Sequence, residues 1–410
     1  MSSVRLEGDA ALRAQYLSEV LELLYPAGDG LGDVTQFLVI PDLRRPRLLV
    51  PANDLRLAAA AVRRYARPQS RLARLKRDAV VASLRTGTAR LLLRSRVRLE
   101  PGVDTIETYL RAALRAELSV SIHIGPARAN RKPVLQVLGP DGATLGFAKL
   151  GIGPLTRDLV RQETAVLTRL AGLRLADVTV PEVRHAGRWH GHEVLVQSAL
   201  PVWDPRAAWS ADRLAGAMLS VATGAGVSGG DLAGSRYWAA LRARLAPLDA
   251  QPDGATLRRA AHDLIDRVGA TRLAYGQWHG DWAPWNMATL PDTLLLWDWE
   301  RCAVDVPLGF DALHYALQRD LQAAGFAVAR AGGAVHHCVD AAATTLRPFG
   351  VASPDAARVT ALLYLVDLAA RYLADRQAEA GARLGALGTW LLPTLIRRVS
   401  HLNDRSEVAA

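Results

Sequence analysis

Cysteine is nearly absent: the 410 residues hold only Cys302 and Cys338. Two thiols cannot build a disulfide framework or a cysteine-ligated metal cluster, and the pair reads as reduced cysteines of a cytoplasmic protein. Lysine is almost as scarce. Lys76, Lys132 and Lys149 are the only lysines among 50 basic residues, the rest being arginine. A chain so biased toward the planar guanidinium keeps lysine by chance or where a compact ammonium is needed. Long apolar runs are missing as well. The longest uncharged stretch, 214–230, carries five glycines with serine and threonine, too polar for a membrane span. Residues 1–15 are polar and charged, so no secretory leader is expected.

What is present is a chain that is half apolar, enough for a full core, and long enough for two or three structural units. Its formal charge of +10 is uneven. Residues 1–100 hold 18 Lys+Arg against 10 Asp+Glu, a net of +8. Such a region could meet an acidic partner, a nucleic acid or a membrane surface. Without interleaved aromatics or a nucleic-acid motif, the simpler reading is a solvated, arginine-rich face.

The stretch richest in chemistry is His279-Gly280-Asp281-Trp282-Ala283-Pro284-Trp285-Asn286, followed by Asp298-Trp299-Glu300. Between Asn286 and Asp298 two short apolar runs flank Pro291-Asp292, the pattern of a hairpin. Its closure should set Asn286 beside Asp298, an amide oxygen next to a carboxylate. Mg²⁺ takes a few such hard oxygens and completes its shell with water and phosphate.

In order, the pattern predicts a helix over 10–24, a hairpin over 36–40 and 47–50, and an alanine-rich helix capped by Asn53 or Asp54 and running to about 66. Another helix and a strand follow in 70–98. From 101 onward come a helix over 105–118, strands over 119–124, 134–138 and 144–150, and a helix capped by Thr156 running to about 170. A strand over 192–200 follows. Beyond 201 the chain reads as mostly helical, over 211–222, 236–245, 255–268, 321–346, 354–376 and 384–402, with a further helix starting at Phe310-Asp311. Alternation puts Lys149 on the strand face of Leu145 and Phe147, and helical spacing puts Glu163 in the stripe of Leu159 and Val166. Charges on inward faces are costly unless paired. The economical solution is that Lys149 and Glu163 meet, leaving the ammonium able to reach a phosphate; two unrelated snorkelling side chains are the plainer alternative.

Taken together, His279-Gly280-Asp281…Asn286, Asp298-Trp299-Glu300 and Asp305…Pro307…Asp311, with Lys149 and Glu163 upstream, resemble the aminoglycoside phosphotransferase and choline-kinase-like family over about residues 101–400. The resemblance implies an α+β, two-lobed protein-kinase-like fold, with a small β-rich N-lobe at 101–201 and a large, mainly helical C-lobe at 202–402. Residues 1–100 then form an extra N-terminal α/β unit, and 403–410 a tail. It implies an ATP- and Mg²⁺-dependent phosphotransferase acting on a hydroxyl of a small molecule such as a sugar, amino-alcohol or antibiotic, with GTP not excluded. Carried over, Asp281 is catalytic, Asn286 and Asp298 hold the metal, and Lys149 with Glu163 grips the nucleotide phosphates. The backbone of Gln197, Ser198 and Ala199 meets the adenine. His279 reads as an anchor of the loop. Asp311 reads either as a support of that loop or as a plain helix cap.

The sequence also departs from that pattern. The loop at 125–132 has one glycine, Asp298 is followed by Trp299-Glu300, and Ala283 stands where protein kinases usually place a lysine. Together these favour a small-molecule acceptor. Glu300 is open to metal or to substrate, and Trp282, Trp285 and Trp299 either stack on a substrate or pack a core. The competing reading is a catalytically silent nucleotide-binding scaffold acting through its basic N-terminal region. A nucleic-acid binder is disfavoured.

Overall fold

The computed structural model describes residues 2–28, 34–65, 71–89, 93–126, 128–351 and 353–402; the expected tail at 403–410 lies outside them. The chain divides into two units, the first formed by Met1–Thr168 with Pro181–Pro205, the second by Arg169–Val180 with Arg206–Ala410.

The first unit is built on one sheet. Helix α1 (Ser2–Leu24) buries Tyr16, Leu17, Val20, Leu21 and Leu24, one helical face. Strands β1 (Thr35–Ile40) and β2 (Leu48–Pro51) form the expected antiparallel hairpin. Helices α2 (Leu55–Tyr65) and α3 (Arg71–Thr86) follow, then β3 (Arg96–Leu99). Asp54 is the capping residue of α2, its Oδ1 accepting from the N–H of Arg56 (2.8 Å) and Leu57 (3.2 Å). Helix α4 (Ile106–Leu114) opens on a Thr105–Thr108 capping box and ends at Arg115, whose left-handed backbone stops it short of the expected 118. Strands β4 (Ser119–His123), β5 (Val134–Leu138) and β6 (Thr144–Gly151) lead to helix α5 (Pro154–Leu170). This helix starts before Thr156. Pro154 suits its first turn, while the Thr156 hydroxyl folds back to accept from the N–H of Ile152 and Gly153.

After β7 (Val178–Thr179), which belongs to the second unit, β8 (Val183–Trp189) and β9 (His192–Gln197) complete the sheet. The order is β3-β1-β2-β4-β5-β6-β9-β8, antiparallel throughout. The strands of residues 1–100 are therefore laid into the same sheet as the later ones, joined where Leu48 and Leu49 pair with His123 and Ile122. Both faces are covered. Phe37, Val39 and Leu49 pack with α1 and α4, while Leu38, Leu48 and Val50 pack with α2 and α3. That explains why β1 and β2 read as continuous apolar runs rather than as alternation.

The second unit is mostly helical: α6 (Ala211–Thr223), α7 (Arg236–Leu245), α8 (Pro252–Val268), α9 (Phe310–Ala323), α10 (Val328–Asp340), α11 (Ala342–Leu346), α12 (Pro354–Ala374) and α13 (Leu391–Ser400). The single helical pattern expected over 321–346 is broken by the left-handed backbones of Gly325 and Phe326. Two three-stranded sheets accompany these helices. One is β10 (Ser228–Asp231), β11 (Arg272–Trp278) and β14 (Ala303–Pro307); the other is the hairpin β12 (Met287–Thr289) and β13 (Leu294–Leu296), with β7 alongside β13. The whole is an α+β protein. No helix among the described residues is long and apolar enough to cross a membrane.

Leu49 is fully buried in the first unit's core. Leu49→Ala should cost roughly 2–5 kcal/mol, as for other buried leucines. Urea unfolding of the full chain measures it, and a change near zero would show that the first hairpin is peripheral to this core.

Candidate active site

In the first unit, Lys149 lies on β6 and Glu163 on α5. The Lys149 ammonium donates to both carboxylate oxygens of Glu163, at 2.6 and 2.7 Å, and the two side chains are 7% and 0% exposed. The face that carries Lys149 is not the packed one. Ala148 and Leu150 on the opposite face enter the core, while Leu145 is exposed and Phe147 half-buried. Glu163 supplies the burial, set in the α5 stripe of Leu159, Val160, Val166 and Leu167. Gln197 ends β9 opposite Phe147 and is buried. The N–H of Ser198 donates to the carbonyl of Glu182 at 2.8 Å, and the Ser198 hydroxyl accepts from the Glu182 N–H at 2.9 Å. A nucleotide read by this segment would use backbone groups of Gln197 and Ala199 rather than the Ser198 N–H.

In the second unit, β11 delivers the chain to His279, and the next two residues turn sharply. Gly280 has φ +86°, and a Cβ there would lie 2.2 Å from the carbonyl oxygen of Arg301, so no side chain fits. The turn is held by a carboxylate. Asp311, in the first turn of α9 and buried, accepts from the N–H of His279 at 2.7 Å and of Gly280 at 3.1 Å. The Arg371 guanidinium donates to the Gly280 carbonyl from α12. His279 is buried with both ring nitrogens engaged by backbone. Nδ1 accepts from the Asp281 N–H at 3.1 Å and Nε2 donates to the Trp297 carbonyl at 3.0 Å. Burial pulls its pKa down to about 4, so the ring is a neutral strut at neutral pH.

Asp281 projects from this loop, 29% exposed. The Asn286 amide donates to its Oδ2 at 2.8 Å and to its main-chain carbonyl at 2.9 Å. His314 Nε2 meets Oδ1 at 3.1 Å, and His314 Nδ1 meets the Tyr364 hydroxyl at 3.0 Å. Burial lowers the pKa of His314, and the neutral Nε2–H tautomer satisfies both contacts. Burial also acts to raise the Asp281 carboxyl, but the His314 hydrogen bond and the Arg371 charge outweigh it and hold that carboxyl well below the usual carboxylate range. With both N–H groups of Asn286 spent on Asp281, its amide oxygen is the side-chain atom left to accept.

The hairpin β12–β13 pairs Met287 with Leu296, and the Trp297 N–H donates to the Asn286 carbonyl at 3.1 Å, which places Asn286 at the hairpin mouth from which Asp298 emerges. Asp298 has φ +71°, a left-handed conformation rare for a side-chain-bearing residue and found at functional positions. Glu300, in the short turn that follows, is buried, and it and Asp298 bring carboxylate oxygens within 4.8 Å of each other. An amide oxygen and two carboxylates are hard oxygen donors suited to Mg²⁺. Trp282 and Trp299 are fully buried and pack edge-on against His279, so they are core; Trp285 is half-buried.

His314, Tyr364 and Arg371 were not legible as site residues. The spacing Asp311-x-x-His314 puts both on one face of α9, a usable signal. Tyr364 and Arg371 arrive from α12, and nothing local marks them.

No protein-family model matches the chain, and no curated protein matches it. Among solved structures it is similar to a choline kinase, LicA from Streptococcus pneumoniae (14% identity, TM-score 0.45, 73% of this chain and 99% of that one). It is similar also to a thermostable mutant of aminoglycoside phosphotransferase APH(4)-Ia (12%, 0.44, 74% and 100%). A third is a putative fructosamine-3-kinase from Thermobifida fusca (14%, 0.41, 73% and 99%). Those proteins are small-molecule kinases and phosphotransferases by description. At such scores the activity of this chain has to rest on its own residues.

Burial is the largest influence on Asp311 and pushes its carboxyl up to about 7, against the two backbone hydrogen bonds that lower it. The folded state therefore binds a proton between about pH 4 and 7 that the unfolded state has released, so this group's contribution to stability falls as pH rises through that window. Asp311→Asn cannot titrate. The thermal midpoint of the wild type should exceed that of the variant most near pH 4, and the gap should shrink toward pH 7. A gap that widens with pH would mean that Asp311 is held ionised.

Proposed function

We propose that the protein is a nucleotide- and Mg²⁺-dependent phosphotransferase that phosphorylates a hydroxyl group of a small molecule. The observation that carries this reading is the geometry at Asp281. An anionic, partly exposed carboxylate is fixed by Asn286 and His314, in a loop whose own Asn286 and nearby Asp298 offer metal-ligating oxygens. Each carboxylate oxygen of Asp281 accepts one protein hydrogen bond and keeps a lone pair. One can accept the acceptor's O–H and aim its oxygen at the terminal phosphorus of ATP.

As the new P–O bond forms, the bond to the β-phosphate oxygen breaks and ADP leaves; the hydroxyl proton passes to Asp281 or to the transferred phosphate. Because Asp281 is a weak base, its role is orientation more than proton abstraction, which suits a loose phosphoryl transition state in which the proton leaves late. Asn286 and Asp298 would hold Mg²⁺, with Glu300 on the metal side because it is buried beside Asp298. A metal held by these residues would supply positive charge against the phosphates. Lys149, positioned by Glu163, supplies a compact positive charge for the nucleotide phosphates, and the backbone near Gln197 and Ala199 reads the base. ATP is the nucleotide of this reading, and GTP is its test partner. Both cysteines are buried free thiols whose pKa burial pushes up to about 12, so neither is a candidate nucleophile.

The test is a screen of sugars, amino-alcohols and antibiotics for acceptor-dependent ATP consumption, followed by Asp281→Asn on any hit. The variant should lose about 10²–10⁴-fold in kcat while binding Mg-ATP nearly as the wild type does. Turnover unchanged by that substitution would sink the mechanism. Nucleotide binding with no acceptor turned over would favour the silent scaffold.

A further inference from the structure

The first unit holds a cavity of about 920 Å³ lined by a third of the basic residues of 1–100. Six arginines line it: Arg56, Arg63 and Arg64 from α2, and Arg74, Arg77 and Arg85 from α3. On α2 the spacing 56, 63, 64 is one helical face, and on α3 the steps of three and eleven residues again return to one face. Among the described residues, Arg56, Arg63, Arg74 and Arg85 have no carboxylate within 4.0 Å. The acids on the wall do little to balance them. Asp141 spends Oδ1 on the Ala143 N–H in the turn between β5 and β6, and Asp204 is the other.

Two features make this a formed pocket rather than a basic surface. Arg64 is fixed, donating to the Gly142 carbonyl at 3.0 Å and to the Thr144 hydroxyl at 3.3 Å, and its guanidinium lies 4.9 Å over the Trp203 ring. The turn carrying Gly142 (φ +79°) is pressed against α2, where a Cβ at Gly142 would meet Ala60 at 3.2 Å. Trp203 is 40% exposed, an aromatic surface at the edge of a guanidinium cluster.

We propose that this cavity binds a small organic polyphosphate, a nucleotide or sugar carrying at least two phosphate groups. A single phosphate is saturated by two or three guanidiniums in bidentate contact, and the cluster offers more than that. The volume is that of a small-molecule pocket, and a concave site of this size does not fit a duplex, which needs an extended basic surface. Trp203 can take the planar or sugar portion by stacking. Crowded like charges destabilise the empty protein, so an occupant should raise its thermal midpoint.

Inorganic triphosphate without metal is the probe, added to the full-length protein and read by calorimetry and thermal shift. The wild type should bind it with a rise in midpoint. The Arg63→Ala/Arg74→Ala double variant, both sites being exposed, should keep its fold by circular dichroism and bind about tenfold more weakly or worse. Binding should persist in Lys149→Ala, which separates this cavity from the nucleotide reading above and makes the two independent. The proposal is overturned if binding is unaffected by the double variant, if it disappears in Lys149→Ala, or if monophosphate binds as tightly as triphosphate. It is overturned equally if an oligonucleotide competes triphosphate away with a steeper salt dependence, which would make the cavity part of a nucleic-acid surface.

Discussion

The second unit depends on one buried carboxylate. Asp311 accepts the N–H groups of His279 and Gly280, and without it two backbone donors would be buried and unsatisfied at a tight turn. The turn is left-handed and too close to Arg301 for any residue but glycine, so the loop has little freedom once Asp311 fixes its start. From there the rest follows in sequence. His279 braces the Asp281 N–H against the Trp297 carbonyl, and Asn286 closes the loop onto Asp281 from the far side. The same helix that carries Asp311 sets His314 one turn later, under Asp281. One element, α9, thus holds the loop's backbone and orients its acid.

The electrostatics of this group divide labour between two aspartates. Asp281 is mostly buried, which acts to raise its carboxyl, but the hydrogen bond from His314 and the charge of Arg371 outweigh that and keep it ionised. Asp311 is buried more completely, and that burial raises its carboxyl although the two backbone N–H groups it accepts act to lower it. Environment assigns one the exposed charge and the other the scaffold. In the first unit Lys149 and Glu163 meet a comparable cost by pairing. Removing water from both is offset by a two-point contact, and truncating either alone would strand a charge at a cost on the order of 3–5 kcal/mol.

Much of this was legible in the chain. The hairpin after Asn286 was readable from two apolar runs around Pro291-Asp292, because turn chemistry and apolar runs are local signals. The meeting of Lys149 and Glu163 was readable as well, although the face argument was faulty: Lys149 lies opposite the packed face, and it is Glu163 that is sunk in an apolar stripe. Of the two roles open to Asp311, the structure shows the loop support, since its oxygens go to His279 and Gly280. What could not be read were contacts delivered by distant helices. Tyr364 and Arg371 sit in a helix so thoroughly buried that its polar residues look incidental, and their partners lie 50 and 91 residues away. Helix ends were misjudged where backbone conformation overrode pattern, at Arg115 and around Thr156.

Residues 1–100 show the limit from the other side. Composition marked them as basic and different, which suggested a separate attachment. Their strands carry the opposite message, because β1 and β2 are apolar on both faces and can be stable only inside a covered sheet. Joining β4 gives them one neighbour, and α1, α2 and α3 supply the cover. That arrangement also accounts for where the arginines go. Each covering helix must give one face to the sheet, so its charges collect on the other. On α2 and α3 those outer faces border one cavity, closed by the turn between β5 and β6. Part of a net charge that looks diffuse in the sequence is therefore gathered by the packing of two helices on one side of a sheet, and the gathering comes from burial rather than from any local run of basic residues.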